Sequence, residues 1–163
     1  MADSFATKMS ALMFRGTDKM RHRGAFDVGA MSPTGTDFTG FDKTRQIVLV
    51  TFKRSGEAMP SPINHGLADG KLYVRTDPST GKVKRLRNNP NVVVVPCNLR
   101  GKPKGQAVAG VARILPESEH AHAEEAIAAN WSLPMKVFER GLDKGSQAFG
   151  IDMAYIEITP APR

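Results

Sequence analysis

Between Arg45 and Leu115 the chain is a series of short β-branched runs separated by turn residues at hairpin spacing, and this rhythm constrains the fold most. Gln46-Ile-Val-Leu-Val-Thr-Phe52 is apolar on both faces, as a strand covered on both sides would be. Arg54-Ser-Gly-Glu57 is a turn, and Ala58 to His65 is a second extended run. Asp69-Gly70 favours a two-residue hairpin, because both residue types tolerate positive φ, and it leads into a strand over Lys71–Thr76. A short basic helix follows, then a strand over 91–97, a polar loop over 98–105 and a strand over 106–115. Pro116-Glu-Ser-Glu119 opens a helix reaching Asn130, a second helix spans Pro134 to Leu142, and Ile151 to Ile158 is a last strand. Six strands with few helices suffice for a small antiparallel barrel, a mainly β (α+β) architecture.

The first 44 residues break this rhythm. Phe5, Met9, Leu12 and Met13 fall on one helical face, and the stretch from Gly16 to Gly40 is glycine-rich and poor in aliphatic side chains. We therefore expect an N-terminal helix and irregular arm over 1–44, and a barrel domain over 45–163. No run of 18 apolar residues occurs, so no spanning helix is expected, and the N-terminus lacks the apolar core of a signal peptide. With Cys97 as the sole cysteine, neither an internal disulfide nor a thiolate zinc site can form, which suits a cytoplasmic location.

The formal net charge of +7 calls for an anionic partner: nucleic acid, an anionic surface or a polyanionic small molecule. Part of that charge is concentrated between Tyr73 and Pro90. Arg75, Lys82, Lys84, Arg85 and Arg87 face a single acid, Asp77, where a strand hands over to a helix N-terminus. Unpaired N–H groups and the helix dipole favour an anion there, and the cations add charge-assisted hydrogen bonds suited to phosphate. A solvated basic helix is the competing reading.

Pro60 and Pro62, two apart in a strand, remove two N–H donors from one edge. Either the edge is merely protected, or it leaves room for a flat ligand beside Ser61; Asn64 shares the prolines' side, and Ser61 faces the other way. His65 is a candidate ligand contact or proton donor. His120 and His122, at i and i+2 on a helix, point to different faces and do not suggest a metal. Cys97 reads as a buried, inert thiol. Phosphate-loop, nucleophile-elbow, zinc-protease and dinucleotide-loop signatures are all missing, so the chemistry points to a bound cofactor.

The segment 45–115 resembles the split β-barrel flavin and deazaflavin proteins, the superfamily of pyridoxamine-phosphate oxidase, and is most similar to the actinobacterial branch using the deazaflavin coenzyme F420. The resemblance is carried by Ile47–Phe52, Gly56, Pro60-Ser-Pro62, Gly70–Thr76, Gly81–Pro90, Val95–Gly101 and Gly110–Leu115. It implies a six-stranded antiparallel split β-barrel whose Arg75, Thr76 and Lys82 hold the cofactor phosphate. Lys84 and Arg85 would lie near that phosphate or the coenzyme's oligoglutamate tail. Pro60, Ser61, Pro62 and Asn64 would run along the ring, with Thr51 approaching it. The resemblance further implies a homodimer with cofactor at the subunit interface, 131–149 completing the site in trans. The Arg-Gln-Val-Arg-type motif of the phosphate oxidases is missing near the C-terminus, which argues against pyridoxamine phosphate as substrate.

The activity so implied is hydride transfer from a reduced deazaflavin to an unsaturated or conjugated acceptor, a quinone or tetrapyrrole among the analogues, with Ser61 and His65 as candidate proton donors. The alternatives are an FMN-binding oxidoreductase on the same barrel and a non-catalytic coenzyme carrier. Nucleic acid is disfavoured because the strands offer few stacking aromatics beyond Phe52 and Tyr73.

Overall fold

The computed structural model describes residues 24–131 and 152–162. The apolar face Phe5–Met13, the expected helix Pro134–Leu142 and most of the segment 131–149 lie outside the described residues. Six antiparallel strands form a closed barrel: β1 (Gln46–Phe52), β2 (Ala58–Ala68), β3 (Lys71–Thr76), β4 (Asn91–Cys97), β5 (Val108–Ile114) and β6 (Ala154–Pro160), in the order β1-β2-β3-β6-β5-β4. Among the described residues three α-helices accompany them: α1 (Gly24–Asp27), α2 (Gly81–Asn88) and α3 (His120–Ala129). The expected architecture is the observed one.

Several element boundaries differ from those expected, β5 being trimmed from 106–115 to Val108–Ile114. β2 runs on past His65 to Ala68, because its first half pairs with β1 and its last four residues, His65–Ala68, pair with β3. β6 begins at Ala154 and runs to Pro160, with Pro160 opposite Gly110 at the sheet's end. The helix after Pro116 starts as a 3-10 turn over Glu117–Glu119 before α3. The Asp69-Gly70 turn is as expected, with φ of 53° and 72° at its two residues.

The barrel interior is filled by alternate residues of five strands, Ile47 and Leu49, Leu72 and Val74, Val92 and Val94, Val108 and Ala112, Ile156 and Ile158, with the partly buried Ile63 and Leu67 of β2 packed against them. Two plugs close its ends. At one end α2 inserts Val83 and Leu86, both buried. At the other, Phe38 and Phe41 from the N-terminal arm enter the same apolar cluster as the strands, stacked edge to face at 5.2 Å. The outer face of β1 and β4 (Val48, Val50, Val95, Cys97) is covered by Ala25 and Val28 around α1. α3 lies over β2 and β3 at Gly66, where a Cβ would strike the backbone of Ala126 and Ile127.

Candidate functional site

The barrel end closed by α2 gathers the cations. Thr80 occupies the N-cap of α2, but its side chain does not cap the helix; its Oγ1 donates to the Asp77 carbonyl at 2.9 Å. The Thr80 hydroxyl is thus turned away from the first amides of α2. Asp77, the nearest acid in sequence, is consumed by its own turn, accepting from the Ser79 amide at 2.7 Å and the Ser79 hydroxyl at 2.6 Å. Lys82 Nζ donates to Thr76 Oγ1 at 3.4 Å, and Arg85 Nε donates to Thr51 Oγ1 at 2.7 Å. Thr51 and Thr76 are the last inward-facing residues of β1 and β3, in line with Leu49 and Val74, and both are buried. Burial also draws the Arg85 guanidinium below its ordinary pKa, although it remains a cation.

Gly81 makes this arrangement possible. A Cβ there would lie 2.8 Å from an Arg85 guanidinium nitrogen, so the guanidinium folds back over the first residue of its own helix. The part played by Gly81 escaped the sequence reading. The signal was the i, i+4 spacing of Gly81 and Arg85, which stacks one above the other on a helix. Together, an uncapped helix start, two hydroxyls, a lysine and a folded-back arginine form a donor set whose chemistry fits a phosphate monoester. Lys84 and Arg87 lie on the exposed side of α2.

Strand alternation separates the remaining candidates. Cross-strand partners share a face, so Ser61 opposite Leu49 faces inward, whereas Pro60 opposite Val50, Pro62 opposite Val48 and Asn64 opposite Gln46 face outward. Over 58–64, β2 pairs only with β1, and the other edge carrying the two proline nitrogens has no strand partner among the described residues. The outer side of the prolines is covered by the chain itself: a Cβ on Gly101 would lie 3.1 Å from Pro62, and one on Gly29 4.0 Å from Pro60. Asn64 Oδ1 accepts from Gln46 Nε2 at 3.1 Å.

Arg75 also points outward, away from Thr76. It donates to both carboxylate oxygens of Glu124 at 3.1 and 3.2 Å and lies 5.6 Å from the Trp131 ring, while the Tyr155 hydroxyl donates to Glu124 at 2.6 Å. The burial and the carboxylate raise Tyr155 to about 12. His65 is fully buried. Its Nε2 lies 3.0 Å from the Phe41 carbonyl, its Nδ1 has no partner, and desolvation lowers its pKa, so the imidazole is neutral. Cys97 is buried and its thiol pushed up to about 12, which agrees with the inert reading. Among the described residues no His, Cys, Asp and Glu side chains gather as a metal site, and no helix is long and apolar enough to cross a membrane.

A groove of about 1000 Å³ lies at the other end of the barrel, between the arm around Phe41 and the loop after Cys97. It does not touch the cationic end.

No protein-family model matches the sequence, and no curated protein matches it. Solved structures do. One is a candidate 5-nitroimidazole antibiotic resistance protein from Bacteroides thetaiotaomicron, 14% identical with a TM-score of 0.55 over 74% of this chain and 75% of that one. A second is a FAD-binding protein from Mesorhizobium loti, 19% identical with a TM-score of 0.51 over 74% and 82%. A third is a conserved hypothetical protein from Mycobacterium tuberculosis, 17% identical with a TM-score of 0.53 over 74% and 76%. What they share with this chain is the fold. It is a closed barrel of six antiparallel strands.

Proposed function

We propose that this protein is an oxidoreductase using a phosphorylated deazaflavin, coenzyme F420, to reduce an unsaturated or conjugated small molecule. The observation that carries the reading is the convergence of Thr51, Thr76, Lys82 and Arg85 on the uncapped start of α2. A phosphate there meets backbone amides, hydroxyl donors and two cations, with the nearby carboxylate already occupied. The resemblance over 45–115 supports the deazaflavin over other phosphorylated ligands, and the Mesorhizobium loti neighbour, described as FAD-binding, supports a redox cofactor on this fold.

In this reading Thr76, Lys82 and Arg85 bind the phosphate, Thr51 orients Arg85, and Lys84 on the exposed side meets the acidic tail. Ser61 and the edge of Pro60-Ser61-Pro62 that has no strand partner among the described residues border the ring, with Asn64 beyond it. Arg75 contributes from the second layer, by fixing α3 through Glu124. When bound, the cofactor supplies a hydride; the chain positions it and excludes water, and the acceptor's proton comes from solvent or Ser61. His65, held neutral under Phe41, supports the barrel end and is not an acid in this scheme. A homodimer with the cofactor between subunits belongs to the same proposal.

FMN is the alternative, because the donor set of Thr76, Lys82 and Arg85 suits the phosphate that both cofactors carry. Titrating the purified protein with each cofactor and following fluorescence quenching separates the two. Tighter binding of the deazaflavin is expected; binding of FMN alone would replace the proposal by its alternative. Lys82→Ala should weaken binding by roughly 1.5–3 kcal/mol, whereas Arg87→Ala should change it little. Turnover is read by reoxidation with a panel of quinones, enones and tetrapyrroles, and a reduced cofactor that none of them reoxidises would mark a carrier.

A further inference from the structure

We infer that the groove at the arm-plugged end of the barrel is a second ligand site, taking an organic anion with an apolar body, distinct from the phosphate corner. Three cations border it: Lys43 and Arg45 from the stretch between Phe41 and β1, and Lys104 from the β4–β5 loop. All three are exposed and none forms an ion pair among the described residues. The one carboxylate in the lining, Asp37, is turned to its own loop, where it accepts from the Thr39 amide at 2.8 Å. Like charges brought around a concavity repel one another and focus a positive field into it, an arrangement that a bound anion relieves.

The walls decide what kind of anion. Pro96, Leu99 and Val108 line the same space, and Leu99, at 69% exposure, is the one large hydrophobic side chain left in water among the described residues. An inorganic ion would leave that surface wet, while an aromatic or alkyl carboxylate or sulfonate would cover it. A volume of about 1000 Å³ accommodates a molecule of that size. The site is also remote from the cationic corner. Arg45 and Thr51 stand six residues apart along one extended strand, roughly 20 Å. One ligand phosphate cannot serve both ends.

The probe is 1-anilinonaphthalene-8-sulfonate, which joins an anionic group to an aromatic body. Its fluorescence should rise on binding to the folded protein with one site per chain. Its amide shift changes should concentrate at Gly35, Gly40 and Gly105. Arg45→Ala with Lys104→Ala should weaken it about tenfold or more, the loss expected for one or two charge-assisted contacts. Leu99→Asp should weaken it as well, and Lys82→Ala should leave it unchanged. These are surface positions, and matching circular dichroism and melting curves confirm that each variant is folded. Unchanged affinity in the Arg45 and Lys104 variant would overturn the inference. So would shifts centred on Gly81 and Lys82, or a loss of binding in Lys82→Ala. The last two outcomes would leave the phosphate corner standing, so failure here is separable from failure of the proposed function.

Discussion

Replacing His65 by glutamine should flatten the acid side of this protein's stability curve. The imidazole is fully buried at the arm-plugged end, hydrogen-bonded through Nε2 to the Phe41 carbonyl, with Nδ1 bare and no acid beside it in that arrangement. Desolvation is the largest cause of its shift and lowers the folded pKa below 6.5, the value the unfolded chain retains. A lowered pKa on a base means that the unfolded state takes up a proton that the folded state refuses. Stability is therefore full above the unfolded pKa and declines as pH falls below it. Between pH 7.5 and 5.5 a folded state that stays neutral loses at most about 1.4 kcal/mol from this one residue, the integral of one proton's uptake by an unfolded histidine that titrates in the middle of that window. Urea denaturation at both values gives the difference directly. In His65→Gln the glutamine amide can still donate to Phe41 but cannot titrate, so the difference attributable to the residue should vanish whatever the variant's absolute stability. An undiminished difference would refute the assignment, since the pH dependence would then arise elsewhere.

Gly66→Ala should destabilise by about 3 kcal/mol without changing the denaturant slope, because the new Cβ meets backbone of α3 and no side chain can yield; chemical denaturation measures it. Thr51→Val removes the acceptor that holds Arg85 at 2.7 Å, and should cost cofactor affinity about 1 kcal/mol, read in the same quenching titration. Cys97, buried with its thiol raised to about 12, should resist iodoacetamide at pH 8 in the native protein and label fully in denaturant, as mass spectrometry would register. Rapid native labelling would contradict its placement under α1.

The strand pattern was legible because barrel strands announce themselves locally. Ile47–Thr51 is mostly β-branched and buried throughout, Val92, Val94 and Val95 are buried, and Asp69-Gly70 adopts positive φ at both positions. The basic helix was legible for the same reason, with Val83 and Leu86 facing in and Arg87 facing out. The faces were harder to read. Arg75 and Thr76 are adjacent in the sequence and read as one clamp, but side chains alternate along a strand, so Thr76 reaches Lys82 while Arg75 turns to Glu124. Nothing local identified Glu124 as that partner, since it lies 49 residues away on a helix whose position is set by packing over Gly66.

The arm shows the same division. Its glycine-rich composition marked it as irregular, yet Phe38 and Phe41 enter the barrel's apolar cluster, a contact that depends on the barrel having an open end to fill. His65 is a comparable case: a histidine at the end of an extended run looked available for chemistry, and only the return of Phe41 over it made it a buried, neutral strut. Periodicity, turns and charge act over a few residues, so local runs of sequence carried them. Which face each side chain occupies, and what meets it there, came from the folded chain, because burial and pairing join residues tens of positions apart.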